Sequence, residues 1–156
     1  MQRRKDQGGF TLIEVVLVLT LVALAYTMVP RLFGNGVSGA ELRANARAIA
    51  TGLRLTRDHA IQNKHEANLT IDMEGRTFVV GDEAQIRKLN DQVELQLYTS
   101  QADLISDKVG NIRFFADGTS NGGRITVGSG ERKFSIDIDW LTGRVSITEA
   151  AGQSRG

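Results

Sequence analysis

Hydrophobic and polar positions change their rhythm three times along this chain. From Phe10 to Val29 the sequence FTLIEVVLVLTLVALAYTMV is apolar almost without interruption, with Glu14 as its one charge. A helix of 20 residues would be about 30 Å long, close to the hydrocarbon thickness of a bilayer. A helix lying on a globular domain would show a polar face, and the run 15–25 has none. Pro30 is expected to end or kink this helix near the membrane surface. The stretch 34–39 (Gly-Asn-Gly-Val-Ser-Gly) is expected to be a flexible break. It matches G-x-G-x-x-G formally, but it follows an apolar helix rather than a strand, so no nucleotide site is expected there.

The second rhythm is amphipathic. Ser38 and Glu41 have the spacing of a capping box. Leu42, Ala46, Ile49, Leu53 and Ala60 then recur by fours and threes, with Thr56 between them, while Arg43, Arg47, Arg54, Arg57 and Asp58 fall largely off that stripe. This predicts a helix laid on a sheet, its charges on a solvated face. After Lys64 the period drops to two. Ala67, Leu69, Ile71 and Met73 alternate with polar residues, and short strands are expected at 77–80, 93–97, 112–115, 125–127, 134–138 and 145–147. Glu74-Gly75, Asp117-Gly118, Gly128-Ser129-Gly130 and Thr142-Gly143 are the turns between them. Phe134, Ile136, Ile138 and Trp140 are expected to face the core, with Lys133, Ser135, Asp137 and Asp139 outward. The fold class is therefore α+β: a long N-terminal helix whose first half spans a membrane, then an antiparallel β-sheet or β-sandwich domain.

Composition narrows the function. The apolar fraction of 41% and charged fraction of 24% belong to a folding chain. Charge is uneven, because Arg3, Arg4 and Lys5 crowd the first nine residues against Asp6 alone. Removing 1–9 from the 19 basic and 18 acidic residues leaves 16 and 17, a net charge of about −1. Nucleic acid is not an expected partner of so neutral a chain. The chain has no cysteine, so disulfides, thiol catalysis and Cys-ligated zinc are excluded. The basic leader should stay cytoplasmic and send the C-terminal domain across the membrane.

Glu14 is the most informative residue. An acid in the apolar layer is unfavourable, by about 2.5–3.5 kcal/mol for Asp at a helix centre and less toward the end. It either snorkels to water or awaits a positive partner. A cut between Gly9 and Phe10 would supply that partner as a new α-amine four residues away. A secretory signal peptide cut after Ala23-Leu24-Ala25 is the competing reading. Against it, Glu14 would lie inside the apolar core, and the run continues past the cut through Met28 and Val29.

Gly8-Gly9-Phe10-Thr11-Leu12-Ile13-Glu14, after a short basic leader and before an apolar helix, resembles the class III signal of type IV pilins and type II secretion pseudopilins. The resemblance implies that a prepilin peptidase cuts after Gly9 and N-methylates Phe10. It also implies that Glu14 neutralises the Phe10 amine, of its own chain or a neighbour's, during assembly. Phe114-Phe115-Ala116-Asp117-Gly118, Gly122-Gly123-Arg124-Ile125, Ile138-Asp139 and Thr142-Gly143-Arg144-Val145 further resemble the minor pseudopilin GspH family, whereas about 74–108 carry little of that likeness. That family implies a low-copy subunit at or near the tip of a periplasmic pseudopilus that supports export across the outer membrane. The implied partners are other major and minor pseudopilins, the peptidase and inner-membrane lipid, with no cofactor. The expected organisation is a leader at 1–9, a transmembrane and filament-core helix at 10–30, an amphipathic helix at 31–65, the β domain at 66–150 and a tail at 151–156.

A FimT-like minor pilin of DNA uptake is the alternative. That group is associated with a G-R-x-R motif, whereas this chain reads Gly143-Arg144-Val145-Ser146. An anchored enzyme or sensor with an uncleaved helix is a third class. No nucleophile and base arrangement supports it. His59 and His65 lack the third and fourth ligands a zinc site needs, and Asp137 and Asp139 lack a loop of oxygen ligands for calcium. Asp117 reads as a turn residue, and the sequon Asn68-Leu69-Thr70 falls inside a strand.

Overall fold

The computed structural model describes residues 11–32, 37–81 and 85–150. Gly9, Phe10, the leader and the tail lie outside the described residues. The chain divides into two compact units, 1–35 and 36–156.

The first unit carries α1 (Leu12–Leu32). Its start is fixed locally: the amide of Glu14 donates to the Thr11 hydroxyl at 3.3 Å and to the Thr11 carbonyl at 3.0 Å. Thr11 is thus the N-cap and Glu14 the third helical residue, where an acid also favours the helix dipole. Thr20, the polar residue in mid-run, turns its hydroxyl onto the Val16 carbonyl at 2.7 Å. Pro30 does not end the helix, which runs two residues further to Leu32. A proline in the final turn forfeits one backbone hydrogen bond without preventing the next residues from completing that turn.

The second unit begins with α2 (Gly39–Asn63), capped by Ser38, whose hydroxyl accepts from the Glu41 amide at 3.2 Å. The Glu41 carboxylate is committed elsewhere and accepts from the Asn90 side chain at 2.6 Å, tying a distant loop to the first helical turn. The helix stops where Lys64 turns left-handed at φ 55°. Leu42, Ala46, Ile49, Leu53 and Ala60 are fully buried as the period predicts, and so is Thr56, whose hydroxyl is satisfied by the Gly52 carbonyl at 2.9 Å.

Among the described residues eight strands follow: β1 (Ala67–Asp72), β2 (Thr77–Val80), β3 (Arg87–Lys88), β4 (Glu94–Tyr98), β5 (Val109–Phe114), β6 (Gly123–Ser129), β7 (Arg132–Ile138) and β8 (Val145–Ala150). They form two antiparallel sheets, ordered β3-β2-β1-β5 and β4-β6-β7-β8, and α2 packs on strands of both. Cross-strand apolar pairs such as Leu69 with Ile112 and Ile136 with Ile147 set the register. The core is one cluster drawn from both sheets and α2, and every buried apolar residue in it lies between Val37 and Val145. The second unit thus supplies a continuous core of its own, as an independently folding domain must.

Trp140 departs from expectation: it is 65% exposed. Alternation holds through Ile138, where β7 ends. Asp139 then folds the chain into a turn, its Oδ1 accepting from the amides of Leu141 (3.1 Å) and Thr142 (2.8 Å) and from the Thr142 hydroxyl (2.8 Å). A strand's two-residue period does not extend into such a turn.

At Gly52 α2 lies close against side chains of β1 and β2. A Cβ there would sit 2.7 Å from Phe78 Cε2 and 3.1 Å from Leu69 Cδ1, both side chains buried. Gly52→Ala gains about 1 kcal/mol of helix propensity but overpacks the core, so a net loss of about 1–2 kcal/mol is expected. Urea denaturation of residues 37–156 checks it, and a stabilised variant would contradict it.

Candidate functional site

The exposed surface of α1 is the most unusual feature of the chain. Among residues 12–24, where its side chains are described, every large apolar residue is exposed, from 48% at Val15 to 85% at Leu12. A helix apolar on all sides has no solvated face and needs lipid or other helices around it. Within 12–24, the part of α1 whose side chains are described, and in the rest of the described residues no helix is long and apolar enough to cross a membrane. Glu14 lies in the first turn of this helix and is exposed.

A second construction explains the glycine motifs of the β domain. Arg57, on α2, donates from Nε to the Gly118 carbonyl at 2.9 Å and from a terminal nitrogen to the Thr142 carbonyl at 3.1 Å. One guanidinium thus ties together the two turns that carry Asp117-Gly118 and Thr142-Gly143. Both glycines have left-handed backbones, φ 84° and 62°. A Cβ on Gly143 would collide with the Gly118 carbonyl oxygen and stand 2.7 Å from Arg57 Nε. Each turn is also closed by its own aspartate. Asp117 accepts from the Thr119 hydroxyl (2.6 Å) and amide (2.9 Å), which lowers its pKa. Hydrogen bonds from Thr142 and Leu141, with Arg144 nearby, lower that of Asp139. Arg57 was expected on a solvated face; it is half-buried and bonded to turns far away in sequence.

A third cluster has no counterpart in the sequence reading. Asp103, in a 3-10 turn at Gln101–Asp103, is 5% exposed. Its Oδ1 accepts from Arg113 at 2.7 and 3.1 Å, and its Oδ2 from Asn121 at 2.7 Å and from the Ser100 hydroxyl. Burial pushes its pKa up, but the bonds from Ser100, Arg113 and Asn121 outweigh it and the net shift is downward. Asn121 and Ser120 also bond the backbone of Arg113, at 3.0 and 2.7 Å, so the cluster closes the free edge of β5.

Because the folded-state pKa of Asp103 is lowered, its contribution to stability is fully present above its ordinary value of 3.8 and is lost as pH falls through the folded value. Asp117 and Asp139 shift the same way. The globular unit should therefore lose stability below about pH 4, and Asp103→Asn should cost about 2–3 kcal/mol at neutral pH by weakening a buried ion pair. Denaturant midpoints measured from neutral to acid pH test this. A variant as stable as the parent at neutral pH would sink it.

Arg124 and Arg144 border one open depression, but each has an acid beside it. Arg124 pairs with Asp137, the Arg132 side chain lies against Gly39 at the start of α2, and Arg144 stands close enough to Asp139 to lower its pKa. His59 and His65 border one cleft with Asn63, Glu66 and Asn68. Among the described residues no three His, Cys, Asp or Glu are grouped to hold a metal. Two sequence signals were overlooked. Thr11-Leu12-Ile13-Glu14 has capping-box spacing within the leader motif, and Gly143 beside a turn aspartate marks a close backbone approach.

A lone apolar helix joined to a two-sheet antiparallel domain that opens with an amphipathic helix defines a pilin-like subunit. The minor pseudopilin EpsH of Vibrio cholerae has this fold (TM-score 0.52, 11% identity, 73% of this chain and 99% of that one), as does the type IV minor pilin FimU of Pseudomonas aeruginosa (TM-score 0.55, 12% identity, 72% and 95%). The prokaryotic N-terminal methylation motif matches residues 4–29, and the family of type II transport protein GspH matches residues 45–143. Type II secretion system protein H of Xanthomonas campestris is 32% identical over 147 residues, 91% of this chain and 83% of that protein. The chain belongs to the GspH family.

Proposed function

We infer that this chain serves type II secretion as a minor pseudopilin that assembles with other pseudopilins, and that its assembly element is α1. The observation that carries this is the helix apolar on every exposed side with a single acid in its first turn. Such a surface is stable in a bilayer and equally stable among neighbouring helices, so the subunit can pass from one to the other with its apolar area covered throughout. We assign 1–9 as the leader, 10–30 as the transmembrane and filament-core segment of an apolar helix that runs on to Leu32, 31–65 as the segment that carries the amphipathic helix α2, 66–150 as the β domain and 151–156 as a tail. The basic leader faces the cytoplasm and the β domain the periplasm. Prepilin peptidase cuts after Gly9 and Phe10 is N-methylated. The mature subunit sits at or near the pseudopilus tip, where it supports export across the outer membrane. It has no catalytic role. The acids beside Arg124 and Arg144, Asp137 and Asp139, favour secretion over DNA uptake, since they offset the positive charge that a phosphate backbone would meet.

Mass spectrometry of the protein from its native membrane is the test. A methylated Phe10 as first residue is expected, together with loss of type II secretion when the gene is deleted and its recovery on complementation. An intact Met1–Gly9, or an end at residue 26, would overturn the assignment of α1 as a filament element.

A further inference from the structure

We propose that the outer face of the sheet β4-β6-β7-β8 is a binding site for a neutral oligosaccharide, with Tyr98 and Trp140 as its stacking platforms. The proposal rests on the periplasmic placement above for the encounter with glycan, but not for the binding itself. Trp140 is the sole tryptophan of the chain. It and Tyr98 are 65% and 79% exposed, on the rim of an open depression of about 1230 Å³. Aromatic side chains left this bare gain nothing for folding, since their value lies in burial.

The backbones that carry the two rings flank Gly122 and Gly123. A Cβ on Gly123 would stand 2.7 Å from the Tyr98 carbonyl, and one on Gly122 would stand 3.0 Å from Trp140 Cβ. Tyr98 and Trp140 are therefore on opposite sides of the start of β6, about two strand spacings or 10 Å apart. Gly122 keeps the space beside Trp140 open, and Arg124, opposite Tyr98 in register, and Asp137 beyond it form the floor on the same face. That separation accommodates two consecutive pyranose rings.

Charge and hydrogen bonding select the ligand class. Within the depression Arg124 pairs with Asp137, and Arg144 offsets Asp139. The lining carries equal basic and acidic charge, which gives no advantage to a polyanion or a cation. Gln96, Thr126 and Ser146 also line the depression, and among the described residues their side chains make no internal hydrogen bond. They are open to hydroxyl groups that both donate and accept. A second pseudopilin is the rival occupant, since exposed Trp, Tyr and Arg also anchor protein partners, and the experiment below separates the two. A flat ring with apolar faces and a hydroxylated rim fits this broad, half-polar surface.

The experiment titrates ¹⁵N-labelled residues 37–156 with two probes, a chitooligosaccharide of the wall type and a maltooligosaccharide, at millimolar concentration. Saturable shifts at Tyr98, Gly122, Gly123 and the Trp140 indole are expected with at least one probe, and which of them binds distinguishes wall glycan from other glucans. Binding should be insensitive to salt, and Trp140→Ala and Tyr98→Ala should each weaken it about tenfold without lowering the melting temperature. Four results would overturn the proposal: no shifts with either probe, shifts confined to another face, binding that salt abolishes, or unaltered binding in both variants. Trp140-dependent capture of another pseudopilin by a protein that ignores both sugars would reassign the face to subunit docking. Loss of secretion complementation with sugar binding intact bears on the secretion reading alone, so the two can fail separately.

Discussion

Gly143→Ala should destabilise the globular unit by about 3 kcal/mol, the largest loss expected from adding a single carbon to this protein. Two penalties coincide. At φ 62° an alanine pays roughly 1 kcal/mol that glycine does not. Its Cβ also overlaps the Gly118 carbonyl oxygen and crowds Arg57, at 2.7 Å from Nε and 3.1 Å from Cδ. Neither neighbour can retreat cheaply, because Nε is bonded to that same carbonyl at 2.9 Å. Moving one turn away breaks the bond that holds the other. Arg57→Leu attacks the construction from the opposite side. It keeps much of the stem packing but strips the donors from two carbonyls, at an expected cost of about 1.5–3 kcal/mol. Because both changes spoil one contact, the double variant should lose clearly less than the two single losses combined. Far-UV circular dichroism in urea is the suitable probe, since Trp140 is already solvent-exposed and its fluorescence reports unfolding poorly. A Gly143→Ala protein within about 0.5 kcal/mol of the parent, or strictly additive losses, would show that the turns are not held through Arg57.

The same construction shows where sequence reading succeeds and where it stops. The stripe Leu42, Ala46, Ile49 and Leu53 and the alternation Phe134, Ile136, Ile138 were legible because each reflects one element facing one core, so periodicity alone carries the information. The sheet order, with β6 between β4 and β7, was not legible, because it depends on how distant strands compete for neighbours. Arg57 looked like one base among several on a polar face. Its two acceptors lie 61 and 85 residues away, and no local pattern announces a side chain bonded to distant backbone. Asp103 was silent for the same reason, its partners arriving from Ser100, Arg113 and Asn121 in three segments. Trp140 misled because the alternation was carried past Ile138 into a turn that Asp139 closes. For the assembly element the position is reversed. Glu14 was visible at once as the single charge in an apolar run, and the structure adds what the motif concealed: Thr11 caps the helix at that point.

The cap adds a second candidate role to the one proposed for Glu14, and the second prediction separates them. In one role it is an ordinary first-turn acid that favours the helix dipole at Thr11, worth about 0.3–1 kcal/mol. In the other its carboxylate is the counter-ion for the Phe10 amine, which would make burying both groups among filament helices tolerable. Glu14→Gln preserves length and hydrogen bonding at the third helical position and removes only the charge. In cells it should be cleaved after Gly9 and retained in the membrane, where a neutral side chain is, if anything, easier to hold. It should nevertheless fall at least about tenfold in filament incorporation, since an amine buried without its counter-ion costs several kcal/mol. Glu14→Ala should behave alike. Site-directed crosslinking to neighbouring pseudopilins, read beside the mass of the processed N-terminus, distinguishes failed assembly from failed cleavage. If Glu14→Gln enters filaments as the parent does while Glu14→Ala does not, the cap suffices and the ion pair is not what brings the helix in. A filament helix that tolerates a neutral residue here would take its stagger from apolar packing alone, and the acid would matter only to the first turn of its own chain.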